Sequence, residues 1–338
     1  MHRPPIGVTL ASLLTLSPDQ WRSTADLAAE LGYASLWTAE TTGAEAFSLL
    51  GALSARQPGL SLGTGVLALQ LRTPMLAVMG AANLQALQPD VDVLLGIGIS
   101  SPVVVGRWHG AEYRSRPLAQ TREYLTLARA CLSGEPVTFE GEFYRCNKFR
   151  LGLRLGERRP RLVLGALNAR MLALAGELAD GVLLNYLPAS AVPWCVEQVR
   201  AAEAAAGRPA GSCTVYAYVH VGVTDLDSAR VPAQKDLFGY IVVDSYARAF
   251  ARAGFGAEVE VVRAAHAAGD RAGALAAVSD EMIGAIDIVG DAAHVHDAVE
   301  AYRAAGVDHP VIMPLPWGED RAAVVAATLR AAAGQVDD

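Results

Sequence analysis

Val93-Leu94-Leu95-Gly96-Ile97-Gly98-Ile99-Ser100-Ser101-Pro102 is an apolar run that breaks into Gly-x-Gly and then into two serines and a proline. It reads as a buried strand over 91–96 that opens into a loop at its carboxyl end. Glycines there let backbone approach a ligand, and the loop offers N–H groups and hydroxyls to an anion. Buried strands also end in glycine for steric reasons, so the stretch takes its meaning from its neighbours. Upstream, 6–11, 34–38 and 60–67 read as further strands. Ser17-Pro18-Asp19 opens a helix that Gly32 stops, a second helix covers 44–56, and Thr73-Pro74 opens a third. Downstream come strands at 161–164, 181–184, 214–223 and 310–314, and helices at 120–132, 169–178, 292–304 and 321–332. A hairpin turns at Glu140-Gly141, a helical excursion runs over 227–277, and 285–289 is short and extended.

Eight strand–helix units without a linker or a shift in composition predict one α/β domain over 1–338. The expected architecture is a closed (β/α)8 TIM barrel with a hairpin after the fourth strand and the 227–277 excursion after the seventh. A doubly wound sheet is the alternative. The excursion is expected to cover a pocket.

The composition suits this reading. Of 338 residues, 52% are hydrophobic and 19% charged, enough for a large core and too few charges for a disordered chain. A net charge of −7 and the lack of a basic stripe argue against a nucleic-acid partner. Cys131, Cys146, Cys195 and Cys213 show no metal-type spacing and read as reduced thiols. With no signal peptide and no run able to span a bilayer in the sequence, the expected location is the cytoplasm.

In a barrel of this kind, ligand chemistry sits at the carboxyl ends of the strands. Those ends, 38–42, 63–67, 98–101, 165–168, 184–186 and 313–316, are poor in catalytic side chains. No nucleophile elbow or serine triad is present, and no metal cluster shows in the spacing; His294-x-His296 would point to different faces of a helix. A glycine-lined, mostly apolar mouth suits a planar cofactor that brings its own reactivity. Glu40 could act there as a general acid or base, or equally pair at the rim. His109 could reach the mouth from the loop after the fourth strand, and Asn168 reads as a helix cap.

Several segments stand in the order found in the bacterial luciferase-like monooxygenase superfamily, especially its coenzyme F420-dependent branch, which includes methylenetetrahydromethanopterin reductase. They are Leu36-Trp37-Thr38-Ala39-Glu40-Thr41-Thr42-Gly43, Leu62-Gly63-Thr64-Gly65-Val66 before Arg72-Thr73-Pro74, and Gly96-Ile97-Gly98-Ile99-Ser100-Ser101-Pro102 before Arg107-Trp108-His109. Ala179-Asp180-Gly181-Val182-Leu183-Leu184-Asn185 completes the set. The chain resembles this family well over 6–185 and loosely beyond. The resemblance implies a homodimer acting on a small molecule, with F420, or alternatively FMN, in the mouth. It also implies a non-proline cis peptide at Gly65-Val66. Cofactor contacts would come from Gly65, Val66, Gly98, Ser100, Ser101, Gly165, Ala166, Leu167, Asn168 and Asn185, and catalytic ones from Glu40, Thr41 and His109. On the FMN alternative the enzyme is a two-component monooxygenase using O2 and fed by a flavin reductase; a third possibility is a barrel that binds without turnover. The chain departs from the sugar-phosphate dehydrogenases of the F420 branch, with Thr41 where they carry histidine and Ile99 where they carry glutamate.

Overall fold

The computed structural model describes residues 5–335. Along the chain the strands are β1 (Gly7–Thr9), β2 (Ser35–Thr38), β3 (Ser61–Thr64), β4 (Leu67–Ala68), β5 (Val93–Gly98), β6 (Val137–Glu140) and β7 (Arg145–Phe149). They continue with β8 (Arg161–Gly165), β9 (Gly181–Leu184), β10 (Thr214–Val223), β11 (Asp287–Gly290) and β12 (His309–Pro314). Eight of them, β1, β2, β3, β5, β8, β9, β10 and β12, pair in parallel in that order, and β12 pairs back with β1. The fold is a (β/α)8 TIM barrel. Antiparallel β6 and β7 form the hairpin between the fourth and fifth barrel strands.

Local chemistry starts and stops the crossover helices. Helix α1 (Pro18–Glu30) begins in a capping box, with the Ser17 hydroxyl accepting from Gln20 N–H and the Gln20 side chain accepting from Ser17 N–H. It ends where Gly32 takes φ +77°. Helix α2 (Ala46–Ser54) is capped by Glu45, and α3 (Pro74–Leu87) by Thr73 with proline in its first turn. Next come α4 (Pro117–Leu132), α5 (Ala169–Leu178) and α6 (Val192–Ala205). The excursion holds α7 (Leu226–Ile241), α8 (Asp244–Phe250), α9 (Gly256–Ala267) and α10 (Arg271–Ala276), followed by α11 (Asp280–Ile286). Helices α12 (Ala292–Ala304) and α13 (Arg321–Ala332) complete the outer layer. No helix among the described residues is long and apolar enough to cross a membrane.

Two apolar layers follow from the alternation of side chains along each strand. One lies between strands and helices. The other fills the barrel with Trp37, Leu94, Val163, Leu183, Tyr216, Tyr218, Val311 and Met313. The excursion has a third core of its own, built on Leu237, Phe238, Phe250, Phe255 and Met282, which Tyr186 joins from the end of β9 and Trp317 from beyond β12.

Four boundaries differ from those expected. Strand three is not continuous over 60–67: it stops at Thr64, the Gly65-Val66 peptide is cis, and β4 resumes beside β5. The fourth barrel strand runs on to Gly98, so Gly98 belongs to the strand and not to the loop. The first strand ends at Thr9 and passes into a short 3-10 turn, Ala11–Leu13. Helix α6 was not expected from the sequence, and β11 begins at Asp287 because α11 extends through Ile286.

Glycines on β5 and β8 make the break in strand three possible. By alternation Gly96 and Gly98 follow Leu94 on the inner face, and Gly165 follows Val163. A Cβ at Gly98 would lie 2.7 Å from Val66 Cγ2, and one at Gly165 would lie 3.3 Å from Val66 Cγ1. At Gly96 a Cβ would lie 1.8 Å from the Thr64 carbonyl oxygen. The three glycines are a socket for the bulge at 65–66. Gly98→Ala should therefore destabilise the fold by about 1–3 kcal/mol, the usual range for overpacking a tight interior. Val66→Ala in the same chain should recover part of that loss. Additive costs in a denaturant double-mutant cycle would show that the two positions do not share the space.

Candidate functional site

At the carboxyl ends of the strands the inward-facing side chains come from distant parts of the sequence. β10 supplies Tyr218 and then His220, β9 continues from Leu183 to Asn185, and the 65–66 bulge supplies Val66. The Tyr218 hydroxyl accepts from Thr9 Oγ1 (3.3 Å) and donates to the Gly65 carbonyl oxygen (2.9 Å). A Cβ at Gly65 would fall 1.9 Å from that hydroxyl, so only glycine allows the approach. Burial pushes the Tyr218 hydroxyl well above its ordinary pKa, which keeps it a neutral donor.

Beyond β5, Ser100 adopts φ +49°, a left-handed conformation unusual for a residue with a side chain. The Ser101 hydroxyl accepts from Val104 N–H and starts the π-helical turn Val103–Trp108. His109 follows, exposed, with Nε2 2.6 Å from the Thr41 carbonyl oxygen. His109 thus fastens the loop after β5 to the loop after β2. Thr41 contributes its backbone to that contact, and its side chain is on the surface.

Glu40 is drawn into a charge network that local sequence does not reveal. Arg72 donates to both of its oxygens, at 2.8 and 3.2 Å, and also to Glu45 at 2.6 Å. The Arg72 guanidinium also lies 5.3 Å from the centre of the Phe47 ring. Burial raises the Glu45 carboxyl, but hydrogen bonds from Ser48 and Phe47 and the charge of Arg72 outweigh it and hold the group below its usual value. The arrangement makes Glu40 a rim carboxylate held by Arg72.

The turn from Gly165 to Asn168 leads into α5. Asn168 takes the extended conformation of a cap, yet its side chain makes no capping bond. Its amide donates instead to the Ser245 carbonyl oxygen, in α8. The Leu167 carbonyl accepts from Arg252, which stacks on Trp194 with 3.9 Å from guanidinium to ring. Among the described residues no side chain therefore caps the first turn of α5, while its neighbours tie the turn to the excursion.

A second network surrounds Asn185. Its Oδ1 accepts from Tyr186 N–H (3.0 Å) and stands 2.8 Å from His220 Nε2. Because that oxygen already accepts a backbone N–H, it is an acceptor, and His220 carries hydrogen on Nε2. His220 Nδ1 lies 3.0 Å from Asp287 Oδ1. Tyr186, at φ +51°, turns its hydroxyl the other way to donate to Asp236 on α7 (2.7 Å). Tyr240 covers it at 3.7 Å between ring centres. Burial pushes His220 down to about 4. Burial and the neighbouring Asp287 raise the Asp236 carboxyl to about 7.

Of the residues expected at the mouth, Val66 and Asn185 face inward, and Gly98 and Gly165 serve Val66. Ala166 and Leu167 are buried in the main core, and the Ser100–Ser101 turn leads into the π-helical turn that ends at His109. Arg72, His220, Asp236 and Asp287 were not expected. Packing brings together His220, Asp236 and Asp287, which lie far apart in sequence and leave no metal-type spacing to read.

The model for the luciferase-like monooxygenase family matches residues 6–309. A protein of Mycobacterium tuberculosis, provisionally named as a coenzyme F420-dependent oxidoreductase, is 30% identical over 308 residues, covering 84% of this chain and 88% of its own length. The 5,10-methylenetetrahydromethanopterin reductase of Archaeoglobus fulgidus is 28% identical over 302 residues, covering 87% of this chain and 89% of its own. Among solved structures, the F420-dependent tetrahydromethanopterin reductase of Methanopyrus kandleri superposes with a TM-score of 0.79 over 98% of each chain at 23% identity.

The Glu40 network makes a directional prediction. Arg72→Ala leaves two carboxylates facing each other and should cost about 2–3 kcal/mol, whereas Glu40→Gln removes one charge and should cost about 1 kcal/mol. Urea unfolding of both variants checks the order; an equal or reversed pair of costs would rule out Arg72 as the centre of the network.

Proposed function

The chain belongs to the luciferase-like monooxygenase family, and on that premise we propose that it is an oxidoreductase moving a hydride between coenzyme F420 and a small organic substrate. The observation that carries the choice of cofactor is the likeness over more than four-fifths of the chain to a relative named as a coenzyme F420-dependent oxidoreductase. The residues present fit such a group. Val66, seated in its glycine socket, gives a shaped apolar wall for a flat ring, and the uncapped first turn of α5 gives N–H groups and a favourable dipole end for a phosphate. Gly65, Val66 and Asn185 would hold the ring system, and the 165–168 turn with Ser100 and Ser101 the phosphorylated tail. When bound, the deazaflavin supplies the hydride-accepting carbon. The chain supplies position: the Ser101 turn and the His109–Thr41 contact fix one side of the mouth. The ties from Asn168 and Arg252 hold the excursion as a cover on the other.

The same surface would accept FMN, the reading that makes the protein the oxygenase half of a two-component system with a separate flavin reductase. Fluorescence titration of the purified protein with F420, FMN and reduced FMN separates the two. Micromolar or tighter binding of F420 is expected; binding of FMN species with none of F420 would overturn the proposal in favour of the monooxygenase, and binding of neither would favour a non-catalytic barrel. Ala169→Glu places an acid in the exposed first turn of α5, where it suits the helix but repels a phosphate. It should weaken F420 at least tenfold without lowering the melting temperature. Unchanged affinity would place the phosphate elsewhere.

We also propose a homodimer. Leu76, Met79 and Leu87 stand 48%, 48% and 59% exposed along α3, an apolar stripe at helical spacing. Light scattering should return twice the chain mass, and Met79→Glu should shift it toward the monomer; a wild-type monomer at micromolar concentration contradicts this.

A further inference from the structure

Where α7 meets the carboxyl end of β10, the donor atoms of His220, Asp236 and Asp287 all lie within 4.8 Å of one another. His220 and Asp287 are cross-strand partners on β10 and β11, at 1% and 0% exposure. Asp236 reaches them from the excursion, steadied by the Tyr186 hydroxyl. Among the described residues, neither carboxylate forms an ion pair with an arginine or lysine; Asp287 meets only the imidazole of His220, which burial keeps neutral.

Two observations set this cluster apart from an ordinary buried hydrogen-bonded pair. The first is Asp287 Oδ2, which is buried without any hydrogen-bond partner. A proton shared between Asp287 Oδ1 and His220 Nδ1 would settle the charge of that pair and still leave Oδ2 bare. A cation would neutralise both carboxylates and give Oδ2 a partner. The second is the orientation of the imidazole. Because Nε2 donates to Asn185 Oδ1, neutral His220 turns the lone pair of Nδ1 toward the carboxylates. This is the arrangement of a ligating histidine, whose second ring nitrogen donates to a carbonyl oxygen.

We propose that His220 Nδ1, Asp236 and Asp287 bind a divalent transition-metal cation of the zinc class. One imidazole nitrogen with two carboxylates selects such an ion over magnesium or calcium, which take oxygen donors. At metal–ligand distances of about 2.0–2.2 Å, two donors on one ion are at most about 4.4 Å apart, so small side-chain rotations close the cluster. The ion would clamp α7 to the ends of β10 and β11. None of the three ligands is among the residues assigned to the cofactor, although Asn185, which is, accepts the hydrogen bond that orients His220.

The test uses the full chain stripped with a chelator and titrated with Co2+, followed by visible d–d absorption and then by displacement with Zn2+. One equivalent per chain is expected, with a rise in melting temperature on saturation. Asp287→Asn and Asp236→Asn, both near-isosteric, should each weaken binding at least tenfold, while His294→Gln on α12 should leave it unchanged. No stoichiometric band at micromolar metal in the folded wild type would overturn the proposal. Wild-type affinity in both aspartate variants would do the same. Should Asp287→Asn fail to fold, Asp236→Asn on the excursion decides.

Discussion

Strand β10 is paired along its length: with β9 at one end, with β12 through the middle, and with β11 over its last residues. Its ten residues fix where everything else sits, because their inward side chains cross the barrel from floor to mouth. Tyr216 packs on Trp37 at 5.1 Å between ring centres, Tyr218 reaches the Gly65 carbonyl, and His220 enters the Asn185 network. A parallel strand buried on both faces depends on strict register, since a slip of one residue would send all three outward. The floor, the bulge and the mouth are therefore placed by a single alternation.

The excursion leaves the barrel where β10 ends and returns to the sheet as β11, alongside β10. In between it is held by contacts with the ends of β8 and β9: Tyr186 to Asp236, Asn168 to Ser245, and Arg252 to Leu167. Its own apolar core makes it a unit, and these ties seat that unit against one side of the mouth. The opposite side is organised separately, by the Arg72 network and by His109. The strand ends are thus shared between a covered half and a half built from short loops.

Much of this was legible in the sequence wherever the cause is local. The capping box at Ser17 and Gln20, the Thr73-Pro74 helix start and the helix over 169–178 follow from neighbouring residues. The rhythm of eight strands gave the barrel. What was hidden depends on partners far along the chain. Gly98 reads as a loop glycine until Val66, from another strand, is seen to fill its missing side chain. Glu40 reads equally as a general acid or base and as half of a rim ion pair, and its partner Arg72 comes from 32 residues on. His220 and Asp287 are 67 residues apart and meet only because β11 pairs with the end of β10. Asn168 looks like a cap by position and proves to be a tether, its amide donating to a carbonyl far along the chain where a cap's oxygen would accept from the helix.

Those tethers share a property with a wider reach. Asn168 and Arg252 both grip carbonyl oxygens of the main chain, at Ser245 and Leu167, and no side chain is needed at either accepting position. Docking through backbone makes these two hydrogen bonds independent of the side chains at 167 and 245. A scaffold held this way can exchange the side chains that meet a substrate without renegotiating its own closure. That freedom would let one barrel serve unlike substrates across a lineage.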